Sequence, residues 1–176
     1  LELSLTTTRE LSRFGKTPPA LVITDAQFAS GVRPPPDLDQ AEAERRFREE
    51  LASRLAKTPH KEVFIYVHGF NNSFEDAAVT TAELWHFLGR QGVPVCYTWP
   101  AGQGGVRAYE YTLASTQFTL YHFKQALRLI ASCPEVERVN IIAHSRGTQV
   151  TADTVRELYL ELRATTDAQQ ALKLGP

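Results

Sequence analysis

Three strand-sized apolar runs, each followed by a segment of helical length, constrain the fold of this chain more than any other feature. The runs lie at residues 62–69, 93–99 and 139–143, and they are apolar almost throughout. Strands that are buried on both faces of a parallel sheet have this pattern. Because the strands alternate with helices, the sequence predicts a three-layer α/β/α fold with a mostly parallel sheet.

The remaining segments are expected to complete one domain over residues 1–176. The sequence predicts an irregular lead-in at residues 1–19, a short strand at residues 21–24 and a surface helix at residues 38–56. Further helices are expected after Ser73, from the glycine-rich loop 100–105 to about Ala131, and from Gly147 to about Leu162. The polar residues 165–176 are expected to form a loose tail.

Composition and charge exclude several classes of protein. The chain has 19 Lys and Arg against 20 Asp and Glu, so no basic excess points to a nucleic-acid partner. No apolar run approaches the roughly 18 residues of a membrane span. Cys96 and Cys133 lack metal-ligand spacing and are expected to be reduced and buried, with one disulfide as the alternative. No metal or cofactor is predicted.

The chain opens on Leu1 without a signal-peptide pattern, so we expect a piece of a longer protein and assign no compartment, although the cytoplasm is favoured.

The third apolar run leads into the sharpest local pattern, Ile-Ile-Ala-His-Ser-Arg-Gly-Thr at residues 141–148. A nucleophile elbow needs a strand, a very tight turn with Ser at its tip and a helix, with small residues two positions before and after the Ser. Ala143 and Gly147 meet this requirement, although Gly is usual at both positions. Ser145 is therefore the candidate nucleophile, and the backbone N–H of Arg146 is a candidate oxyanion donor. An ordinary strand-to-helix turn is the alternative.

The first apolar run ends in Val-His-Gly-Phe at residues 67–70, where a second oxyanion donor is expected. Gly69 permits close approach of the backbone, and the amide of Phe70 is the candidate donor. We favour His68 as a side chain that braces the loop over a role as general base. His144, which adjoins Ser145, is expected to pack against the sheet.

Taken in order, residues 63–74 (Val-Phe-Ile-Tyr-Val-His-Gly-Phe-Asn-Asn-Ser-Phe), 97–100 (Tyr-Thr-Trp-Pro) and 142–148 resemble the α/β-hydrolase superfamily. Within it the chain is most similar to a bacterial family of uncharacterised serine hydrolases with a His-Gly-Phe-Asn-Asn loop. The resemblance implies hydrolysis of an ester, thioester or amide by a Ser-His-Asp mechanism acting on a small-molecule acyl substrate. It places Trp99 and Pro100 on the pocket rim, and we expect the substrate pocket at His68, Gly69, Trp99 and His144. Members usually have an apolar residue where Arg146 stands.

The expected triad is incomplete in this chain. In the superfamily the acid and the histidine follow the nucleophile, whereas all five histidines here precede Ser145. Asp153 lies along the last helix and Asp167 in the tail, and neither is a convincing acid. We therefore expect a C-terminally truncated hydrolase core that is inactive on its own and associates through an exposed sheet edge.

Two other classes compete with this interpretation. A non-catalytic α/β-hydrolase relative would act as a binding or scaffold module. A nucleotide-binding domain is disfavoured because the sequence at residues 102–107 lacks the third glycine of the dinucleotide fingerprint.

Overall fold

Helices and strands alternate along the part of the chain that a computed structural model describes, residues 40–101, 106–163 and 171–175. The elements, in chain order, are α1 (Gln40–Ala56), β1 (Glu62–Val67), α2 (Phe74–Phe87), β2 (Val93–Tyr97), α3 (Val106–Ala131), β3 (Arg138–Ala143) and α4 (Arg146–Leu162). All three apolar runs form strands, as predicted. The lead-in at residues 1–19 and the strand expected at residues 21–24 lie outside the described residues.

The three strands form one parallel sheet in the order β2-β1-β3. Val67, the last residue of β1, pairs with Tyr97 of β2 on one side and with Ala143 of β3 on the other. The carboxyl ends of the strands are therefore level with one another. The loops that follow, which carry His68, Trp99 and Ser145, come together at one edge of the sheet.

The main core lies between one face of the sheet and three of the helices. Val63, Ile65 and Val67 alternate along β1 toward this face and are at most 1% exposed. The helical side chains in the same core are Phe47, Leu51, Leu55, Phe123, Leu127, Ile130, Val150 and Leu158. Helix α2 packs against β1 and β2 with its own buried residues, Ala77 and Thr81, and it covers the other face. The domain has the three-layer α/β/α architecture that the sequence predicts.

Helix α2 begins where the sequence predicts it. The backbone N–H of Asp76 donates to Oγ of Ser73, and the N–H of Ser73 donates to the Asp76 carboxylate, which together form a capping box. This cap fixes the helix directly after the loop at residues 68–72, so the loop is anchored by β1 on one side and by α2 on the other.

The segment at residues 171–175 is packed against the sheet. Leu172 is 3% exposed and belongs to the main core. Leu174 forms a parallel bridge with Val139, whose N–H donates to the Lys173 carbonyl at 2.8 Å and whose carbonyl accepts from the Gly175 N–H at 2.9 Å. The expectation of a loose tail is wrong for these residues, because Leu172 is buried and Leu174 is half-buried beside β3. They also cover part of the β3 edge.

Candidate active site

Only two residues, His144 and Ser145, separate a strand from a helix here. Strand β3 ends at Ala143, α4 begins at Arg146, and Ser145 has φ 52° and ψ −120°. Residues other than glycine rarely adopt a positive φ, and such a conformation costs on the order of 1–3 kcal/mol. The turn leaves the Ser145 side chain exposed at the edge of the sheet. This is the strand, turn and helix arrangement that residues 141–148 predict.

Gly147 allows the first turn of α4 to touch the end of β1. A Cβ at this position would lie 2.5 Å from the carbonyl oxygen of Val67 and 2.5 Å from that of His68. Both obstacles are backbone atoms of a buried strand end, so neither can move aside. The requirement for a small residue two positions after Ser145 is therefore a contact between two backbones.

Gly69 likewise allows close contact between two backbone segments, here beside Ser145. A Cβ at Gly69 would lie 2.9 Å from Cβ of Ser145 and 3.0 Å from the His144 carbonyl oxygen. The His144 N–H also donates to the Val67 carbonyl at 3.0 Å. The loop after β1 consequently lies against the turn that carries Ser145, and Phe70 follows Gly69 at the same place.

His68 is buried beneath this loop and uses both ring nitrogens. Its Nε2 accepts the backbone N–H of Trp99 at 3.1 Å, so the proton resides on Nδ1, which donates to the Gly69 carbonyl at 2.9 Å. The side chain is 2% exposed, and burial lowers the pKa of His68 below its ordinary value, which favours the neutral ring. His68 therefore has the bracing arrangement that the sequence favours over a general base.

Trp99 is joined to His68 by a second bond and by ring stacking. Its indole Nε1 donates to the His68 carbonyl at 2.8 Å, and the two rings are stacked at 5.7 Å with an interplanar angle of 15°. At 5% exposure Trp99 lies under the loop, which differs from the rim position that the resemblance implies; Pro100, the next residue, is exposed. The aromatic ring is buried because it packs on an imidazole that is itself buried.

His144 also differs from its expected position. It is exposed, where packing against the sheet was predicted, and its Nδ1 lies 3.2 Å from the position that a Cβ on Gly69 would occupy. The reversal of the chain at Ser145 turns this side chain out of the sheet. His144 thus lies beside the loop of Gly69.

An open cavity of about 410 Å³ is lined by Phe70, Ser145, Arg146 and Gln149. It brings together the candidate nucleophile and both residues whose amides were predicted to stabilise an oxyanion. Gln149 was not predicted, although its position three residues after Arg146 places it on the same side of α4. Its Oε1 accepts a hydrogen bond from Nη1 of Arg146 at 2.5 Å. His68, Gly69, Trp99 and His144 are not among the lining residues.

The other ionisable candidates lie away from Ser145. His60 and His86 are exposed, and burial lowers the pKa of the half-buried His122 on α3. Within the described ranges, no hydrogen bond joins Oγ of Ser145 to a histidine. Asp153 lies about 12 Å along α4 from Ser145, given the 1.5 Å rise per residue.

No cluster of three or more His, Cys, Asp or Glu suited to a metal is found among the described residues. Neither Cys96 nor Cys133 forms a disulfide; Cys133 is buried, as expected, whereas Cys96 is only half-buried. No described helix combines the length and the apolar character that crossing a membrane requires.

Comparison with known proteins identifies one family. A family model described as "Alpha/beta hydrolase of unknown function (DUF900)" matches residues 43–174. The matched range contains all three strands, the loop after β1 and the turn at Ser145. Neither the curated proteins nor the solved structures contain a match.

Proposed function

Because the chain belongs to this α/β-hydrolase family of unknown function, we propose that it is the core of a serine hydrolase in which Ser145 is the nucleophile. The observation that carries the proposal is the cavity where the exposed Ser145, at positive φ, meets Phe70 and Arg146. A strained turn that holds a serine at the carboxyl edge of a parallel sheet is what acyl transfer requires of this fold.

The proposed reaction is hydrolysis of an ester, thioester or amide in two steps. Oγ of Ser145 attacks the carbonyl carbon, the bond to the leaving group breaks, and the leaving group departs with a proton. Water then hydrolyses the acyl-enzyme, which releases the acid and restores the Ser145 hydroxyl. The backbone amides of Phe70 and Arg146 would donate to the oxyanion, and the N-terminus of α4 adds positive potential at the same point.

Oγ of Ser145 must transfer its proton to a base, and we propose that this base lies outside these 176 residues. All five histidines precede Ser145, and His68 has both ring nitrogens engaged in hydrogen bonds. The acid of the triad would likewise be supplied from outside. A hydroxyl without a base is a weak nucleophile, so the chain by itself is expected to be slower than a complete triad by several orders of magnitude.

A fluorophosphonate probe tests the nucleophile directly. We would treat the protein, expressed in its full natural reading frame, with the probe and measure its intact mass. A single adduct is expected, absent in Ser145→Ala and retained in Ser132→Ala, which changes an exposed serine elsewhere on the surface.

The contrary result would be equally informative. If the protein labels at neither serine while circular dichroism shows an intact α/β fold, Ser145 is not an activated nucleophile. The protein would then belong to the non-catalytic class, and its cavity would be a binding site.

A further inference from the structure

We propose that the cavity beside Ser145 selects substrates that carry an anionic group, and that the Arg146 guanidinium binds this group. The inference deepens the proposed function and rests on it, because it concerns the substrate of the same site. A carboxylate and a phosphate monoester share the chemistry that a guanidinium recognises, namely oxygen atoms arranged for two parallel hydrogen bonds.

The position of Arg146 supports the proposal. Arg146 lines the same cavity as Ser145, the residue directly before it, so a ligand that reaches Oγ lies close to Arg146. Nη1 of Arg146 donates to Oε1 of Gln149, another lining residue one helical turn away, at 2.5 Å.

The described residues that line the cavity carry charge of one sign. Among them Arg146 is ionised, Gln149 is neutral, and Phe70 supplies an apolar surface. The first turn of α4 contains no acidic residue, so the positive end of the helix dipole is not compensated there. The guanidinium and the helix terminus therefore act on the same space, and both favour an anion. An acyl chain lying on Phe70 and ending in an anionic group matches this lining.

Binding to the Ser145→Ala variant separates recognition from turnover. We would measure dissociation constants by calorimetry for monomethyl succinate, monomethyl glutarate and the neutral dimethyl succinate. A methyl ester that also bears a phosphate monoester is the second type of anionic ligand in this test. The anionic esters are expected to bind about tenfold more tightly than the neutral diester, which is the size of one charge-assisted hydrogen-bonded contact. The anionic ester that binds more tightly, carboxylate or phosphate, identifies the anionic group that Arg146 prefers. The difference in affinity between the succinate and glutarate half-esters reports the distance of this group from the ester.

Substitution of the arginine tests whether it causes the preference. In Ser145→Ala/Arg146→Met the ratio of the dissociation constants is expected to fall to about one, and Arg146→Lys should restore part of it. The matched control is Arg156→Met, which removes the same charge from an exposed position about 15 Å along α4. It should keep the ratio. Equal binding of all the esters, or a preference that survives Arg146→Met, would overturn the inference.

The two proposals can fail separately. Adduct formation at Ser145 combined with equal binding of anionic and neutral esters would leave the hydrolase assignment standing and remove the anion site. An Arg146-dependent preference without any adduct would support the anion site and contradict the hydrolase.

Discussion

Trp99 and His68 are joined by reciprocal hydrogen bonds. The backbone N–H of Trp99 donates to the imidazole of His68 at 3.1 Å, and the indole of Trp99 donates to the backbone carbonyl of His68 at 2.8 Å. Each residue thus binds the other's backbone with its side chain. The pair ties the end of β1 to the end of β2 directly beneath the loop that carries Phe70.

Trp99→Phe should destabilise the protein by about 1–3 kcal/mol, because it leaves the buried His68 carbonyl without its indole donor. The measurement is urea unfolding followed by circular dichroism. Trp85→Phe is the matched control, since the half-buried Trp85 indole donates to the Gly92 carbonyl at a longer 3.3 Å. An equal or larger loss in the control would contradict the importance of the Trp99 bond.

Stability should fall as the pH decreases from about 6.5 toward 5. Burial lowers the pKa of His68 in the folded state, so below its ordinary pKa the unfolded chain binds more protons than the folded one. The resulting slope reaches at most about 1.4 kcal/mol per pH unit and ends at the folded-state pKa. The free energy of unfolding at several pH values measures this slope.

Two histidine variants separate the contributions of His68 and His122 to the pH dependence of stability. His68→Gln should remove most of the slope, whereas His122→Gln should remove only the share of His122, whose pKa burial also lowers. A slope that is unchanged in His68→Gln would show that His68 is not the titrating group.

Gly147→Ala should cost about 3 kcal/mol or more, or prevent folding, because its Cβ meets two backbone carbonyl oxygens at 2.5 Å. Gly175→Ala makes the same substitution against a side-chain oxygen, Oδ1 of Asn140 at 2.6 Å, which can rotate away. Thermal unfolding of both variants gives the comparison. Similar melting temperatures would mean that the contact between α4 and β1 is looser than described.

Ser145→Gly should be more stable than Ser145→Ala by about 1 kcal/mol. Glycine adopts φ 52° without the steric cost that alanine bears, and this gain exceeds the additional entropy of glycine in the unfolded chain. Denaturant midpoints at constant slope provide the measurement. If Ser145→Ala proves the more stable variant, the turn is not strained.

Leu172→Ala should destabilise the protein by about 2–4 kcal/mol, as expected for a fully packed leucine. Leu160→Ala, at a position that is 50% exposed on α4, should change the stability by less than about 0.5 kcal/mol. Equally small losses of stability in the two variants would show that residues 171–175 are a loose tail and are not packed against the sheet.

The sequence predicts the parts of the fold that depend on local patterns. Continuous apolar runs identify the strands because burial on both faces leaves no room for polar alternation. The position of Ser145 is predictable because the small residues that the turn requires, Ala143 and Gly147, are near neighbours of Ser145 in sequence. The packed position of Leu172 is not predictable in this way, because the segment around it is too short to show a pattern and the partner, β3, is distant in sequence.

The surroundings of Ser145 required three-dimensional contacts. Trp99 is an amphipathic side chain that suits a rim or an interior equally, and its burial depends on His68, 31 residues earlier. Gln149 belongs to the cavity through its bond with Arg146, which is a matter of helix geometry and side-chain orientation.

The two glycines on either side of Ser145 have a consequence for how this site can evolve. A side chain at position 69 or 147 must displace the serine or a strand end, so these positions offer no route to a new substrate preference. The half-buried Arg146 and the exposed Gln149 line the cavity from the first turn of α4, where a substitution changes the cavity and leaves the backbone in place. Relatives with different substrates should therefore diverge at these two helical positions while the serine stays fixed between its glycines.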